Sequence, residues 1–307
     1  MILIRNEFKK LRYKKSSYLL LIVICNLLLL FAFLTRYTYN ELYGDDWRKS
    51  LLDTNKSLTA LLEDEKSNNF FTKEMTELIL INDYYLENNI DPSRPDYLKF
   101  LSESRDLATF IFIACIFISS TIITDEYDEG KIKILLLQPY KKWHFVAAKW
   151  VVVILINIFL WMYFTALSIA IGAVFFGIQL TPSVNIINGA IVQTTTISNL
   201  VLQFIALLIN SIAISTFAFT AANVLINKTL SVTIGLCGYF LGGICKKIFS
   251  KLSLNFLQYE FFTLTSADNL ISIPAKQLPG TSLIISGYII LMFVSSCLIF
   301  SKKERLM

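Results

Sequence analysis

Residues Asp125 to Lys149 have the sequence DEYDEGKIKILLLQPYKKWHFVAAK and separate two long apolar segments. Its 25 residues contain four acidic side chains, one glycine, an apolar run, one proline and a group of lysines. An ionised side chain near the middle of a bilayer costs roughly 2.5–3.5 kcal/mol even on insertion scales. The stretch is therefore predicted to be a surface loop between two membrane-spanning helices.

The composition of the whole chain indicates a helical membrane protein. Of its 307 residues, 55% are hydrophobic, whereas soluble domains contain about 45–50%. Glycine and proline are scarce, at 11 and 6 residues, which disfavours an architecture rich in turns. Helices satisfy their own backbone hydrogen bonds in lipid, so the predicted fold class is an all-α membrane protein.

Six apolar runs are predicted to form transmembrane helices, each of which needs about 20 residues. They lie at 18–34, 107–123, 146–176, 200–226, 230–245 and 283–300. Lysine and arginine concentrate near both chain ends and in the loop at 124–145, whereas the segment 35–106 has 15 acidic and 9 basic residues. The positive-inside rule then predicts both termini and the tail 301–307 in the cytosol, and 35–106 outside.

Two flanking regions show helical periodicity. In residues 1–17, Ile4, Phe8 and Leu11 recur at helical spacing among basic residues, which predicts an amphipathic helix on the inner membrane face. A merely positively charged flank is the alternative. Periodic apolar residues in 35–106 predict a small helical extracellular domain between the first two spans.

Cysteine, histidine and glycine patterns exclude several classes of site. None of the five cysteines falls in 35–106, so a disulfide-stapled outer domain is excluded. The single histidine, His144, is too few for a zinc protease, and the phosphate-binding pattern G-x-x-x-x-G-K-[ST] does not occur. We therefore expect no enzyme activity and no metal or cofactor site on this chain. The net charge of +5 lies beside the apolar runs and indicates membrane lipids as partners, not nucleic acid.

The loop also carries an ordered motif, E-x-x-x-G-x-x-x-x-L-L-x-x-P-x-x-K-x-x-x-x-x-x-K. It resembles the first cytoplasmic loop of ABC-2-type transporter permeases, which include bacitracin- and lantibiotic-immunity permeases and toxin-peptide exporters. The family often has Thr after the Gly and Arg three residues after the Pro, where this chain has Lys131 and Lys142. The residues that carry the resemblance are Glu126, Gly130, Leu135, Leu136, Pro139, Lys142 and Lys149.

This resemblance implies the membrane subunit of an ATP-driven exporter in a bacterial plasma membrane. The family works as two permeases, identical or related, with two ABC ATPase subunits, on which ATP and Mg²⁺ would bind. It also has re-entrant outer helices before the last span, which the segment 246–280 resembles. Outer interfacial helices or a plain amphipathic loop are the alternatives for that segment.

The loop is interpreted as the coupling element that contacts the ATPase. Glu126 and Glu129 can pair with basic residues of the partner, and Pro139 would end a short helix. The remaining candidates are Gly130, the apolar ridge Ile132, Leu135 and Leu136, and Lys142, which would return the chain to the lipid surface. A solvated loop is the alternative. Lys149 is expected to reach the headgroups, or else to line a substrate path.

Polar residues inside the spans are sparse, and none of them is acidic. They are expected either to hydrogen-bond neighbouring helices or to line a substrate path. The candidates for a path are Asn157, Gln203, Asn210, Ser211, Thr216 and Asn223. Spans without carboxylates argue against proton- or sodium-driven transport and suit an amphipathic peptide as cargo. Lipid or ion export, and a non-transporting sensor with a ligand-binding outer domain, remain the alternative functions.

Overall fold

The computed structural model describes residues 2–13, 15–44, 46–64, 70–93, 95–132, 142–178, 183–187, 190–194, 196–251, 260–265 and 278–303. The chain divides into two compact units. Unit 1 comprises Met1–Ile24, Leu107–Phe164 and Val201–Met307. Unit 2 comprises Cys25–Asp106 and Thr165–Leu200.

Helices dominate both units. In chain order they are α1 Ile2–Tyr13, α2 Lys15–Tyr43, α3 Trp47–Asp64, α4 Phe70–Glu87, α5 Tyr97–Glu103, α6 Ala108–Asp128, α7 Lys142–Phe176, α8 Thr196–Leu225, α9 Lys228–Lys251, α10 Phe261–Leu264 and α11 Leu278–Lys303. A 3-10 turn, Ser104–Leu107, joins α5 to α6. Strands β1 Ser183–Ile187 and β2 Ala190–Thr194 follow α7 in sequence.

Five helical stretches in the described parts of the chain are long and apolar enough to cross a membrane. They are Tyr18–Tyr43, Tyr97–Asp128, Trp143–Phe176, Leu200–Leu225 and Gly280–Ser301. These stretches coincide with five of the predicted spans, so the chain is a helical multi-pass membrane protein. The predicted span 230–245 lies within α9, and the six-span topology with both ends inside stays a prediction.

Two helices extend past the predicted ends of their spans. Helix α2 continues to Tyr43 instead of ending at 34, and α6 continues to Asp128 instead of ending at 123. Hydropathy marks where lipid ends, whereas a helix rising about 1.5 Å per residue can continue into water. The beginnings of the predicted outer domain and loop are therefore helical extensions of the spans.

The core of unit 1 is apolar and draws on four helices. Its buried residues are Ile122, Ile123, Val146, Val152, Val153, Phe219 and Phe300. Ile4 of α1 and Ile132 of the loop pack against this cluster. The N-terminal helix, the loop and the end of α11 therefore meet at one end of unit 1.

Gly235 allows α9 to approach its neighbours closely. A Cβ atom at this position would lie 2.7 Å from Cγ2 of Ile116 on α6 and 3.1 Å from Cβ of Ala218 on α8. Small residues at such contacts let membrane helices pack backbone to backbone. Gly235 therefore sets the distance between these three helices.

The short helix α10 packs against the middle of α8 and α9. Phe262 lies 5.2 Å from Phe217, between ring centroids, and against Gly238. The Asn210 amide donates a hydrogen bond to the carbonyl of Thr265. Within the predicted segment 246–280, these contacts involve residues 260–265. Most of that segment lies outside the described residues, so its role stays a prediction.

In unit 2, helices α3 and α4 are in contact and are joined by side-chain amides. Asn55 donates to Asp83 Oδ1 at 2.8 Å, and Asn82 donates to Asn55 Oδ1 at 2.7 Å. Helix α5 starts at Asp96, whose carboxylate accepts from the Lys99 backbone N–H at 2.7 Å. The described part of 35–106 is thus mostly helical, with a non-helical connection between α4 and α5, while its extracellular placement stays a prediction.

A β-hairpin adds a short sheet to the helices in the described part of the chain. Strands β1 and β2 pair antiparallel, with Ser183 opposite Thr194 and Ile187 opposite Ala190. The sequence between them is Asn188-Gly189, the dipeptide most favoured in two-residue hairpin turns. This local signal predicts the hairpin, although the all-α prediction did not include it.

Candidate functional site

The loop between α6 and α7 begins at a helix end that glycine terminates. The backbone N–H groups of Glu129 and Gly130 donate to the carbonyls of Asp125 and Tyr127, both at 3.0 Å. Gly130 has a φ of +65°, a left-handed conformation that glycine adopts without a Cβ penalty. The motif glycine therefore stops α6 and starts the loop.

The other predicted loop residues divide between the surface and the core. Glu129 is exposed and forms an ion pair with Lys131, whereas Ile132 is half-buried against the apolar core. Lys142 is the first residue of α7. Leu135, Leu136 and Pro139 lie outside the described residues, so the coupling helix stays a prediction.

Glu126 lies at the centre of a buried ion cluster, which we define as Glu7, Lys10, Glu126 and Lys149. Its Oε1 accepts from Lys149 Nζ at 2.7 Å and from Lys10 Nζ at 2.8 Å. Glu7 binds the same two lysines, with Oε1 2.6 Å from Lys10 and Oε2 3.0 Å from Lys149. Lys149 also donates to the Ile122 carbonyl at 3.0 Å.

Two of the four charges are almost completely removed from solvent. The side chains of Glu126 and Lys149 are each 7% exposed and that of Glu7 is 11% exposed, whereas Lys10 is 49% exposed. The two acids and two lysines balance, so the cluster is neutral overall. Breaking a buried pair leaves an uncompensated charge, at a typical cost of about 3–5 kcal/mol.

The pKa values of Glu7 and Lys10, the two members of the ion cluster on α1, show that their charges stabilise each other. Burial by itself raises the pKa of Glu7, but Lys149 and Lys10 lower it below its ordinary value of 4.5. Burial by itself lowers the pKa of Lys10, but hydrogen bonds to Glu126 and Glu7 raise it above its ordinary value of 10.5. Both residues of α1 are therefore held in their charged forms at neutral pH.

The side chains of Lys149 and Glu126 point in directions other than those predicted from the sequence. Lys149 was expected to reach the lipid headgroups, but its amine is turned inward to two carboxylates. Glu126 was expected to face a partner protein, but its carboxylate is buried among residues of its own chain. Acidic Glu7, distant in sequence, supplies the second counter-charge that makes the inward position of Lys149 favourable.

A second ion pair draws another helix to the same end of unit 1. Lys228, the first residue of α9, donates to Asp125 Oδ1 at 3.1 Å, and its amine lies 5.6 Å from the ring centroid of Phe117. The end of α6 therefore carries adjacent acids that bind α1 and α7 on one side and α9 on the other.

The polar residues proposed for a substrate path lie inside the helix packing. Asn157 on α7 accepts hydrogen bonds from Ser211 and Ser215 on α8 and donates to the Val153 carbonyl at 2.9 Å. We call Asn157, Ser211 and Ser215 the amide cluster; all three are at most 1% exposed.

The remaining candidates for a path are bonded in a similar way. Trp150 donates to Thr216 at 3.1 Å, and Asn223 donates to Ser296. Asn210 binds the carbonyl of Thr265, and Gln203 is half-buried with an interaction partner. The bonds of Thr216 and Asn223 are interhelical hydrogen bonds, which is the alternative role expected for these residues.

Glu7 and Lys10 are the residues that sequence reasoning missed. One signal for them exists, because Glu7 is the sole acid among six basic residues in positions 1–17. An acid that becomes buried in such a basic helix needs a cationic partner to offset its desolvation. Its partner, Lys149, is the lysine that stands in apolar sequence.

Comparison with known proteins confirms the family resemblance. Residues 1–305 match the family model described as ABC-2 family transporter protein. The chain is 23% identical over 236 residues to the uncharacterized protein YhcI of Bacillus subtilis, covering 75% of this chain and 74% of that protein. It is also 28% identical over 86 residues to the uncharacterized membrane protein YdbK of Bacillus subtilis, covering 28% of this chain and 35% of the relative. The chain belongs to the ABC-2 family of transporter proteins and is, as that family implies, a membrane subunit of an ABC transporter.

Proposed function

We propose that this chain is an export permease and that residues 129–141 form its contact with a separate ATPase. The observation that carries the proposal is the anchoring of the loop at its root. Gly130 ends α6, Ile132 packs into the core, and the preceding turn is held by Glu126 in the ion cluster. A force applied to a loop anchored in this way would reach α6 and α7 directly.

One further feature supports an amphipathic peptide as the cargo. The predicted spans contain no acidic residue that could coordinate a small cation, and a peptide can enter from the lipid with its apolar face first. The polar residues of α8 give no support to a path, because they bond neighbouring helices. The complex is expected to contain two permeases and two ATPase subunits in a bacterial plasma membrane.

Co-purification and ATP hydrolysis test the proposal. The tagged permease should bring down an ATPase in stoichiometric amount, and hydrolysis by the reconstituted complex should rise with cationic amphipathic peptides. A response only to lipids or metal ions would refute the peptide cargo and favour the other exporters. Recovery of a sensor kinase, or of no ATPase, would refute the permease function itself.

The loop contact needs a separate variant. Glu129→Lys reverses an exposed charge at the loop root and should weaken ATPase recovery, because rim charges tune association. Glu41→Lys, which reverses an exposed acid on α2, is the matched control and should leave recovery unchanged. Equal recovery of ATPase by both variants would argue against a contact at residue 129.

A further inference from the structure

Helix α1 presents one face to the rest of unit 1 and the opposite face to its surroundings. Ile4 packs against the core, Glu7 is buried in the ion cluster, and Lys10 reaches Glu126. These residues are spaced three apart and so share one side of the helix. Phe8 and Lys9 are exposed, and at 3.6 residues per turn Lys9 lies on the opposite side of the helix.

The inward face of α1 binds the two helix segments that flank the loop, at the end of α6 and at the start of α7. Lys10 bonds Glu126 near the end of α6 at 2.8 Å, and Glu7 bonds Lys149 near the start of α7 at 3.0 Å. Glu126 and Lys149 are themselves 2.7 Å apart. A closed set of ion pairs therefore joins α1, the end of α6 and the start of α7. The two helix segments that flank the loop, which we call its arms, are each held to α1 and to each other.

Moving one arm alone would break at least one buried pair. Such a break leaves an unpaired charge in a site with little access to water, which is strongly unfavourable. Moving α1 with both arms keeps every pair. The arrangement favours displacement of the three helix ends as one body.

We infer that α1 is a moving part of the coupling element, and that Glu7 and Lys10 are positioning residues that make it follow the loop. This inference rests on the proposed function, since it is the ATPase that would move the loop. The exposed residues of α1, which include Phe8 and Lys9, would then carry the motion along the membrane surface.

The double variant Glu7→Met/Lys10→Met separates α1 from the loop with little risk to folding. It removes one acid and one base, and it leaves the buried pair of Glu126 with Lys149 in place. Lys9→Met, which removes an exposed charge from the same helix, is the matched control.

Amide hydrogen exchange of the purified permease–ATPase complex measures the motion. In the unmodified complex, exchange in residues 4–10 and in 129–132 should both change severalfold between the nucleotide-free state and the ATP-bound state of a hydrolysis-deficient ATPase. In the double variant only 129–132 should respond, whereas Lys9→Met should behave as the unmodified protein does.

Each outcome has a distinct meaning. If residues 4–10 do not respond in the unmodified complex, or respond equally in the double variant, α1 is not driven through the ion pairs. If neither segment responds although the ATPase is bound, the loop is not the coupling element and the proposed function fails as well. If the double variant does not fold, Glu7→Gln/Lys10→Gln, which removes the same two charges but keeps polar side chains of similar size, should at least halve the response of residues 4–10, and an unchanged response overturns the inference.

Discussion

The ion cluster and the amide cluster are both buried in unit 1, yet they differ in chemistry and in position along α7. Lys149 stands eight positions before Asn157 in the sequence, which corresponds to about 12 Å along a helix. The charged cluster lies at the helix end where the loop begins, and the neutral one lies toward the middle of the candidate span Trp143–Phe176. Removing a full charge from water costs far more free energy than removing a neutral amide. Charged residues are therefore tolerated near water, whereas neutral amides are tolerated deeper in the lipid.

This difference predicts that the two clusters contribute unequally to stability. Each charge in the ion cluster has counter-charges within 3.0 Å, so removal of one member leaves others unpaired. Each member of the amide cluster makes neutral hydrogen bonds, which contribute about 0.6–2 kcal/mol apiece in membranes. Four measurements follow, from the largest expected effect to the smallest.

Lys149→Met should have the largest effect. It leaves Glu7 and Glu126 buried with only the half-exposed Lys10 between them, and should destabilise the protein by about 3–5 kcal/mol. Thermal unfolding in detergent measures the loss, and Lys149→Arg, which keeps the charge, should recover part of it. A melting temperature unchanged in Lys149→Met would show that the ion cluster does not stabilise unit 1.

Asn157→Leu should have an intermediate effect. The substitution removes the acceptor of two serine hydroxyls and should cost about 1–2 kcal/mol, since each bond is weak in a membrane protein. Thr233→Val, at an exposed position of α9, is the control and should change stability little. If Asn157→Leu lowers transport but not the melting temperature, the amide cluster lines a path and does not serve packing.

Lys228→Met should have a small effect, although it also breaks an ion pair at the end of α6. Lys228 is 42% exposed, so solvent screens its attraction to Asp125, and exposed pairs contribute about 0–1 kcal/mol. The same unfolding measurement compares it directly with Lys149→Met. A loss as large as that of Lys149→Met would show that burial does not distinguish the two pairs.

The stabilisation that α1 draws from its two charges should not vary between pH 5.5 and 9. The pKa of Glu7 is lowered from 4.5, so its contribution is present above that value and is lost as pH falls through the lower, folded-state pKa. The pKa of Lys10 is raised from 10.5, so its contribution is present below that value and is lost only as pH rises through the higher, folded-state pKa.

The difference in melting temperature between the unmodified protein and Glu7→Met/Lys10→Met reports this contribution, because titrating groups outside the ion cluster affect both proteins alike. A constant difference across the range is expected. A difference that disappears toward pH 5.5 would mean that Glu7 is not held in its charged form by the lysines.

The sequence by itself determined the membrane class, the approximate spans and the family. Hydropathy and charge are local properties, so the apolar runs and the motif from Glu126 to Lys142 could be interpreted without knowing any contact. The position where α6 ends could also be predicted, because a glycine after a charged turn favours a left-handed helix end. Gly130 adopts this conformation. The lengths of α2 and α6 were underestimated because lipid thickness does not limit a helix.

The directions of the polar side chains, in contrast, depend on contacts between distant segments of the folded chain. Glu126 and Lys149 look like surface residues in sequence, and their inward positions depend on Glu7, which is 142 residues from Lys149. Asn157 and Asn210 look equally suited to a path or to packing, and the helices that face them supply hydroxyls and a carbonyl. The physical reason is the same in both cases: a buried polar group takes its position from the partner that compensates its desolvation, and that partner is chosen by packing between distant segments.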